Sequence, residues 1–279
     1  QALNQVAPSD SQFKLETTRM VQNIISKETT HRFEEEGCTC GEVFKRSSMW
    51  MQAIGGYNKL SDRFEHQGVK SHTTGYILGY DGSINCGTSL GFGYAYAKSK
   101  GKSHSKDMNI SSHNVFVYGK YQPLFSYVRG ALLYGLADNR EKTAIGKYGV
   151  SSNYDTHYIG AETYVGYEYL NGITPEMGVR YTYLMPDDYT DSLGQKVKNK
   201  DISALTLATR LNYEKKFKLD NGIHVKPEIY AGVTYDLNDT GTTSNVTLGT
   251  ETYSIRAYRV SRVGTGAGIK MSISKENTD

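Results

Sequence analysis

From Ser48 onward, apolar side chains alternate with small or polar ones at a period of two, the pattern of strands with two unlike faces. The clearest run is 223–236. There Val225, Pro227, Ile229, Ala231, Val233 and Tyr235 share one face, and Lys226, Glu228, Tyr230, Gly232, Thr234 and Asp236 share the other. In 203–214, Leu205, Leu207, Leu211 and Tyr213 stand opposite Ala204, Thr206, Arg210 and Glu214. In 174–183, Met177, Val179, Tyr181 and Tyr183 oppose Glu176, Gly178, Arg180 and Thr182. In 158–169, Ile159, Ala161, Val165, Tyr167 and Tyr169 oppose Glu162, Gly166 and Glu168. Residues 88–97 set Leu90, Phe92, Tyr94 and Tyr96 against Ser89, Gly91, Gly93 and Ala95. Residues 263–274 set Val263, Ala267, Ile269, Met271 and Ile273 against three glycines and Lys270. Strands at 49–58, 73–81, 112–121 and 125–137 have weaker register and no assigned faces; they bring the predicted total to ten.

The first 47 residues read differently. Residues 1–9 look like a linker, and a helix is predicted over about 10–33. Ser9 followed by Gln12 makes a capping box, with Asp10 in the first turn. Met20, Val21, Ile24 and Ile25 form a narrow apolar stripe beside a wide polar face of Glu16, Thr17, Gln22, Asn23, Ser26 and Lys27. The segment 34–47 is acidic and irregular.

Connections alternate between short ones (82–86, 122–124, 170–172, 215–222) and long polar ones (60–71, 98–111, 138–153, 185–200, 237–251). Short turns at one end and long loops at the other describe an up-and-down antiparallel barrel through a membrane. On that plan Tyr94, Tyr96, Tyr181, Tyr183 and Tyr235 fall near the long-loop end, and Tyr80, Tyr167, Tyr169 and Tyr213 near the short-turn end. Two aromatic rings around an aliphatic band are what two lipid–water interfaces select. The opposite face carries Glu162, Glu168, Glu176, Arg180, Arg210, Lys226, Glu228 and Asp236 among small residues. Unpaired charges in a dry interior are costly, so this lumen must be wet or well paired. The polar helix is its expected occupant.

Composition sharpens this picture. The chain has 23 Tyr and 29 Gly but only 5 Pro and one Trp in 279 residues, which suits packed strands more than a helical enzyme. The longest uncharged, mostly apolar run is 130–137, far short of the roughly 20 residues a membrane helix needs. A barrel strand shows lipid only every other residue, so the low mean hydropathy of −0.54 does not exclude the membrane. The net charge of +3 gives no nucleic-acid footprint. The densest basic run, from Lys98 to Lys106, reads as a solvated loop; its sharper reading is a contact with acidic lipid head groups or sugar phosphates. Cys38, Cys40 and Cys86 read as incidental, though an oxidising compartment would allow Cys86 to bridge to one of the other two. No signal peptide begins the chain.

A polar helix followed by a meander opening on Ser48-Met-Trp-Met-Gln-Ala-Ile-Gly-Gly-Tyr57 resembles the C-terminal translocator domain of bacterial autotransporters (type V secretion). The segments Thr74-Gly-Tyr-Ile-Leu-Gly-Tyr-Asp-Gly82, Leu90-Gly-Phe-Gly-Tyr-Ala-Tyr-Ala-Lys-Ser-Lys100 and Gly264-Thr-Gly-Ala-Gly-Ile-Lys270 fit the same pattern. Asn4-Gln-Val-Ala-Pro8 is similar to the stretch before the linker helix in surface antigens of Rickettsia-like bacteria. The resemblance implies an outer-membrane barrel of twelve strands around a pore-threading helix. By that standard 1–47 is linker and helix, and 48–279 is a barrel that lacks its final hairpin. It also implies an exported passenger covalently linked upstream, contact with outer-membrane lipid and lipopolysaccharide, and assembly by the barrel-assembly machinery and periplasmic chaperones. Its mechanism is conduit and anchor, without cofactor, metal or nucleic acid, and its lumen charges Glu162, Glu168, Glu176, Arg180, Arg210, Lys226 and Glu228 would hold the helix. The alternative is a porin-like channel or adhesin barrel with a helical plug.

No chemistry rises beside this. The seven histidines form no His-Glu-x-x-His pair, and no Gly-x-Ser-x-Gly elbow is present. Asp187, Asp188 and Asp191 read as a solvated loop before a catalytic dyad. The resemblance brings one weak candidate, Asn23, because some autotransporters release their passenger by asparagine-mediated self-cleavage in the barrel. No Asn-Asn pair accompanies it, so the reading favours a lumen-facing polar residue.

Overall fold

A computed structural model describes residues 8–31, 47–60, 69–85, 87–104, 106–145, 148–215, 217–218, 223–238, 240, 243–248, 250–256 and 262–275. Cys38, Cys40 and Cys86, the linker 1–7 and the acidic stretch 34–46 lie outside them. The helix α1 spans Pro8–His31, beginning earlier than its pattern suggests; its expected end at 33 lies outside the described residues. Proline is preorganised for a first helical position, so Ser9 lies inside the first turn.

Ten long strands follow: β1 (Ser47–Leu60), β2 (Val69–Asn85), β3 (Thr88–Lys102), β4 (Lys106–Tyr121), β5 (Ser126–Ile145), β6 (Tyr148–Tyr167), β7 (Ile173–Pro186), β8 (Ile202–Glu214), β9 (Ile223–Asp236) and β10 (Val263–Lys275). Each pairs antiparallel with its sequence neighbours, giving one up-and-down sheet that curls around α1. Among the described residues β1 and β10 are not paired with each other. Four short strands at the long-loop end form a second sheet in the order Glu251–Arg256, Thr243–Leu248, Lys196–Lys198, Tyr189–Thr190.

Two of the expected long loops are strand instead. β3 and β4 are joined by 103–105, and β5 and β6 by 146–147, so 98–111 and 138–153 extend these hairpins. β5 and β6 have 20 residues each, about 65 Å at the usual strand rise, whereas crossing a bilayer takes about 9–11 residues. The extension still has an inside. Lys106 Nζ lies 2.9 Å from Glu141, Tyr154 donates to the same carboxylate, and Asn139 donates to Thr156 Oγ1 at 2.9 Å. With polar side chains facing inward as well as outward, alternation of hydropathy vanishes while the backbone ladder continues.

The outward face is apolar over contiguous strands. Val115, Val117, Leu132, Val165, Leu211 and Ile229 are each more than half-exposed or close to it, from 50% to 59%. Such a belt far exceeds the patches that monomeric proteins expose to water. The inward face is buried against α1. Phe13, Leu15, Val21 and Ile25 of the helix join Trp50, Ile54, Ile77, Met108, Phe116 and Leu133 in one cluster. Full burial of each large side chain contributes about 1.5–3 kcal/mol. The helix is therefore seated by apolar as well as polar contacts; Phe13 adds to the stripe that the sequence pattern shows, while Leu15, about 200° round the helix from Phe13, is buried outside that stripe.

Glycines and inward aromatics interlock. Trp50 lies over Gly79, Phe116 over Gly93, Tyr118 over Gly91, Tyr158 over Gly135, Tyr127 over Gly166, Tyr164 over Gly178 and Tyr230 over Gly268. In every case the two residues are direct cross-strand partners. A Cβ on any of these glycines would enter the facing ring. Each pair fixes register, because a one-residue slip would turn the ring to the other face.

Candidate functional site

The site is the occupied interior. The helix N-terminal end meets the long-loop end of the sheet: Phe13 packs at Gly101, and Lys14 Nζ lies 4.2 Å from the centre of the Tyr154 ring. Tyr154 in turn stacks on Tyr189 of the second sheet at 4.5 Å. The helix then descends. Gln22 accepts from Thr182 Oγ1 at 2.7 Å, and Ser26 Oγ accepts from Arg129 at 3.1 Å, near the short-turn end of β5. β1 also begins at that end, since Ser47 stands opposite Gly82.

One side of the helix bears Glu16, Arg19 and Asn23. It faces β8–β10 across a cavity of about 280 Å³, also lined by Tyr164, Arg180, Arg210 and Tyr230. Arg19 spans this gap with a 2.8 Å bond to Asp236, which also accepts from Thr206 Oγ1 at 2.7 Å. Asn23 lines the same cavity.

Beneath lies a buried ionic cluster. Glu176 accepts from Tyr127 Oη at 2.7 Å, from Arg129 Nε at 2.8 Å and from Arg210 at 3.4 Å. Glu162 accepts from Arg180 Nε at 3.2 Å and from Arg129 at 3.5 Å. Arg180 also donates to Tyr164 Oη at 2.8 Å, and the Arg129 guanidinium sits 4.0 Å from the Tyr164 ring centre. Carboxylates and guanidinium groups stripped of water this far need such dense pairing. Glu168 binds Lys120 at 3.0 Å and Gln122 at 2.7 Å, Lys226 lies 2.9 Å from Glu214, and Glu228 is buried on the same face of β9. Glu162, Glu168, Glu176, Arg180, Arg210 and Lys226 thus bond within the wall. Side-chain bonds from wall to helix include those of Asp236, Arg129 and Thr182. Thr182 stands on the inward face that alternation assigns, whereas no periodicity marks Arg129 as different from its neighbours.

The nine predicted interface tyrosines lie outward. Tyr167, Tyr169, Tyr181, Tyr213 and Tyr235 are exposed, and Tyr80, Tyr94, Tyr96 and Tyr183 are half-exposed. Two have histidine partners or neighbours on the same face, with Tyr94 Oη 2.6 Å from His113 Nδ1 and Tyr96 5.1 Å from its ring. Alternation misses the inward Tyr118, Tyr127, Tyr158 and Tyr164. Asp188 and Asp191 accept backbone N–H bonds from Asn199, Leu193 and Gln195 and so shape turns. Among the described residues no group of His, Cys, Asp and Glu is placed to hold a metal ion.

The sequence pattern of the autotransporter beta-domain matches residues 49–278. The fold is similar to the translocator domain of the autotransporter NalP from Neisseria meningitidis, with a TM-score of 0.67 and 17% identity over 96% of this chain and 97% of that one. It is also similar to the beta domain of the Bordetella autotransporter BrkA, with a TM-score of 0.59 and 17% identity over 81% of this chain and 97% of that one. No curated protein matches.

Proposed function

The chain belongs to the autotransporter beta-domain family, an outer-membrane translocator module, and from that premise we propose how this chain carries out the role. The barrel anchors a covalently linked upstream passenger and conducts it to the cell surface. The short-turn end faces the periplasm and the long-loop end faces outside. After export, α1 stays in the lumen and closes it.

The observation that carries this reading is the direction of the helix. Its N-terminal end lies at the long-loop end and its C-terminal end descends to where β1 starts. A chain upstream of Pro8 therefore leaves through the long-loop mouth. A porin-like channel with a helical plug has no need for that polarity. Arg19–Asp236, Gln22–Thr182 and Ser26–Arg129 hold the helix. Glu162, Glu168, Glu176, Arg180, Arg210, Lys226 and Glu228 hold it by fixing the wall and the donors that reach it. The outward tyrosines form the two interface girdles. Barrel-assembly machinery and periplasmic chaperones deliver the barrel to the membrane.

The role is transport, and Asn23 serves as a polar cavity wall. With a signal peptide and a reporter segment fused upstream of Gln1, the reporter becomes accessible to protease on intact cells; a reporter retained in the periplasm by a folded barrel refutes the conduit. In the same fusion, Asn23→Ala leaves the pattern of reporter cleavage unchanged. Loss of cleavage would instead make Asn23 the reacting group.

A further inference from the structure

The geometry points to a phosphate-binding site for outer-leaflet glycolipid on the outward face of β2 and β3, built by Lys70, Lys98, Lys100 and Lys102. It rests on the outer-membrane reading above. Lys98, Lys100 and Lys102 alternate with the buried Ser99 and Gly101, so all three ammonium groups leave the same face. They are about 7 Å apart along the strand. Lys70 is the direct cross-strand partner of Lys102, and His72 that of Lys100. Like charges set directly opposite each other destabilise a sheet, and an anion between them removes that cost.

Among the described residues the surroundings offer little such charge. Asp107 reaches Lys102 only at 4.0 Å, where the lysine side chain is 79% exposed. Asp138 is held by Arg140 at 2.8 Å. Lys70, Lys98 and Lys100 have no acidic partner among the described residues. The patch also has a fixed relation to the bilayer. It begins two residues beyond Tyr96, which pairs directly with Tyr76 at 5.8 Å between ring centres and flanks His113. Aromatic rings of this kind sit at head-group level. Lysine stems beyond them lie along the wall with their charges among the lipid phosphates. This end carries the helix N-terminus and faces outside, where the head groups are phosphorylated saccharides. The occupant is a bisphosphorylated lipid A head group.

The test uses the full chain in detergent micelles and titrates bisphosphorylated lipid A, the same lipid with its phosphates removed, and phosphatidylglycerol, read by native mass spectrometry. Bisphosphorylated lipid A should bind at least tenfold more tightly than the other two. Each lysine lost should weaken it about fivefold, the equivalent of about 1 kcal/mol per lysine at a charged surface. The triple variant Lys70→Ser/Lys98→Ser/Lys100→Ser should abolish the preference, and Lys142→Ser on β5 should keep it. Equal binding of dephosphorylated lipid, equal binding of phosphatidylglycerol, or an unaltered triple variant each overturns the site. Heat-modifiable gel mobility is recorded on every sample. Its absence in the wild-type chain would count against the barrel itself, which separates failure of that reading from failure of the site.

Discussion

At the scale of single residues, the excess of tyrosine and glycine has two explanations of different kinds. Outward tyrosines such as Tyr167 and Tyr213 follow from alternation and were legible in sequence. The inward rings were not. In β4, Val115 and Val117 face out while Phe116 and Tyr118 face in, so the run is apolar on both faces and period two disappears. What fixes the register there is the facing glycine, which only pairing reveals. Gly178→Ala places a methyl against the Thr163 carbonyl and the Tyr164 ring and should cost about 1–3 kcal/mol as overpacking. Gly149→Ala meets open space and should change stability by less than about 0.5 kcal/mol. Midpoints of heat-modifiable gel mobility compare the two; equal midpoints would remove the interlocking role. Glu176→Ala leaves Arg129 and Arg210 without their shared carboxylate and should cost about 3–5 kcal/mol, measured in the same way. A loss below about 1 kcal/mol would mean that the cluster is far wetter than its burial indicates.

At the scale of elements, the helix and six of the strands were legible from a periodicity of their own, and the other four, near 49–58, 73–81, 112–121 and 125–137, as strands without assigned faces. The β3–β4 and β5–β6 extensions were hidden for the opposite reason. Asn139, Glu141 and Thr143 face inward, and a strand that is polar on both faces reads as a loop. The helix seat was half legible. Lumen charges follow from alternation, but which of them reaches the helix depends on the rotation of α1, set by the packing of Phe13, Leu15, Val21 and Ile25. Arg19–Asp236 offers a direct test of that rotation. Arg19→Asp sets two carboxylates against each other and should raise the open probability in planar bilayers. The swap Arg19→Asp/Asp236→Arg should restore closure. If the double variant stays as open as the single one, the pair does not hold the helix.

At the scale of the whole molecule, the parts agree on one arrangement. An apolar belt faces lipid, and an ion-paired interior receives a helix whose upstream end leaves by the long-loop mouth. Neither the alternation nor the helix pattern alone distinguishes a conduit from a plugged channel; the direction of α1 inside the sheet favours the conduit. Single-channel conductance reports whether α1 occupies the lumen. The intact chain should stay closed in planar bilayers apart from brief openings. The chain lacking 8–31, confirmed as folded by heat-modifiable mobility, should show sustained large steps. A folded deletion variant that remains closed, or an intact chain that is equally open, would contradict the account.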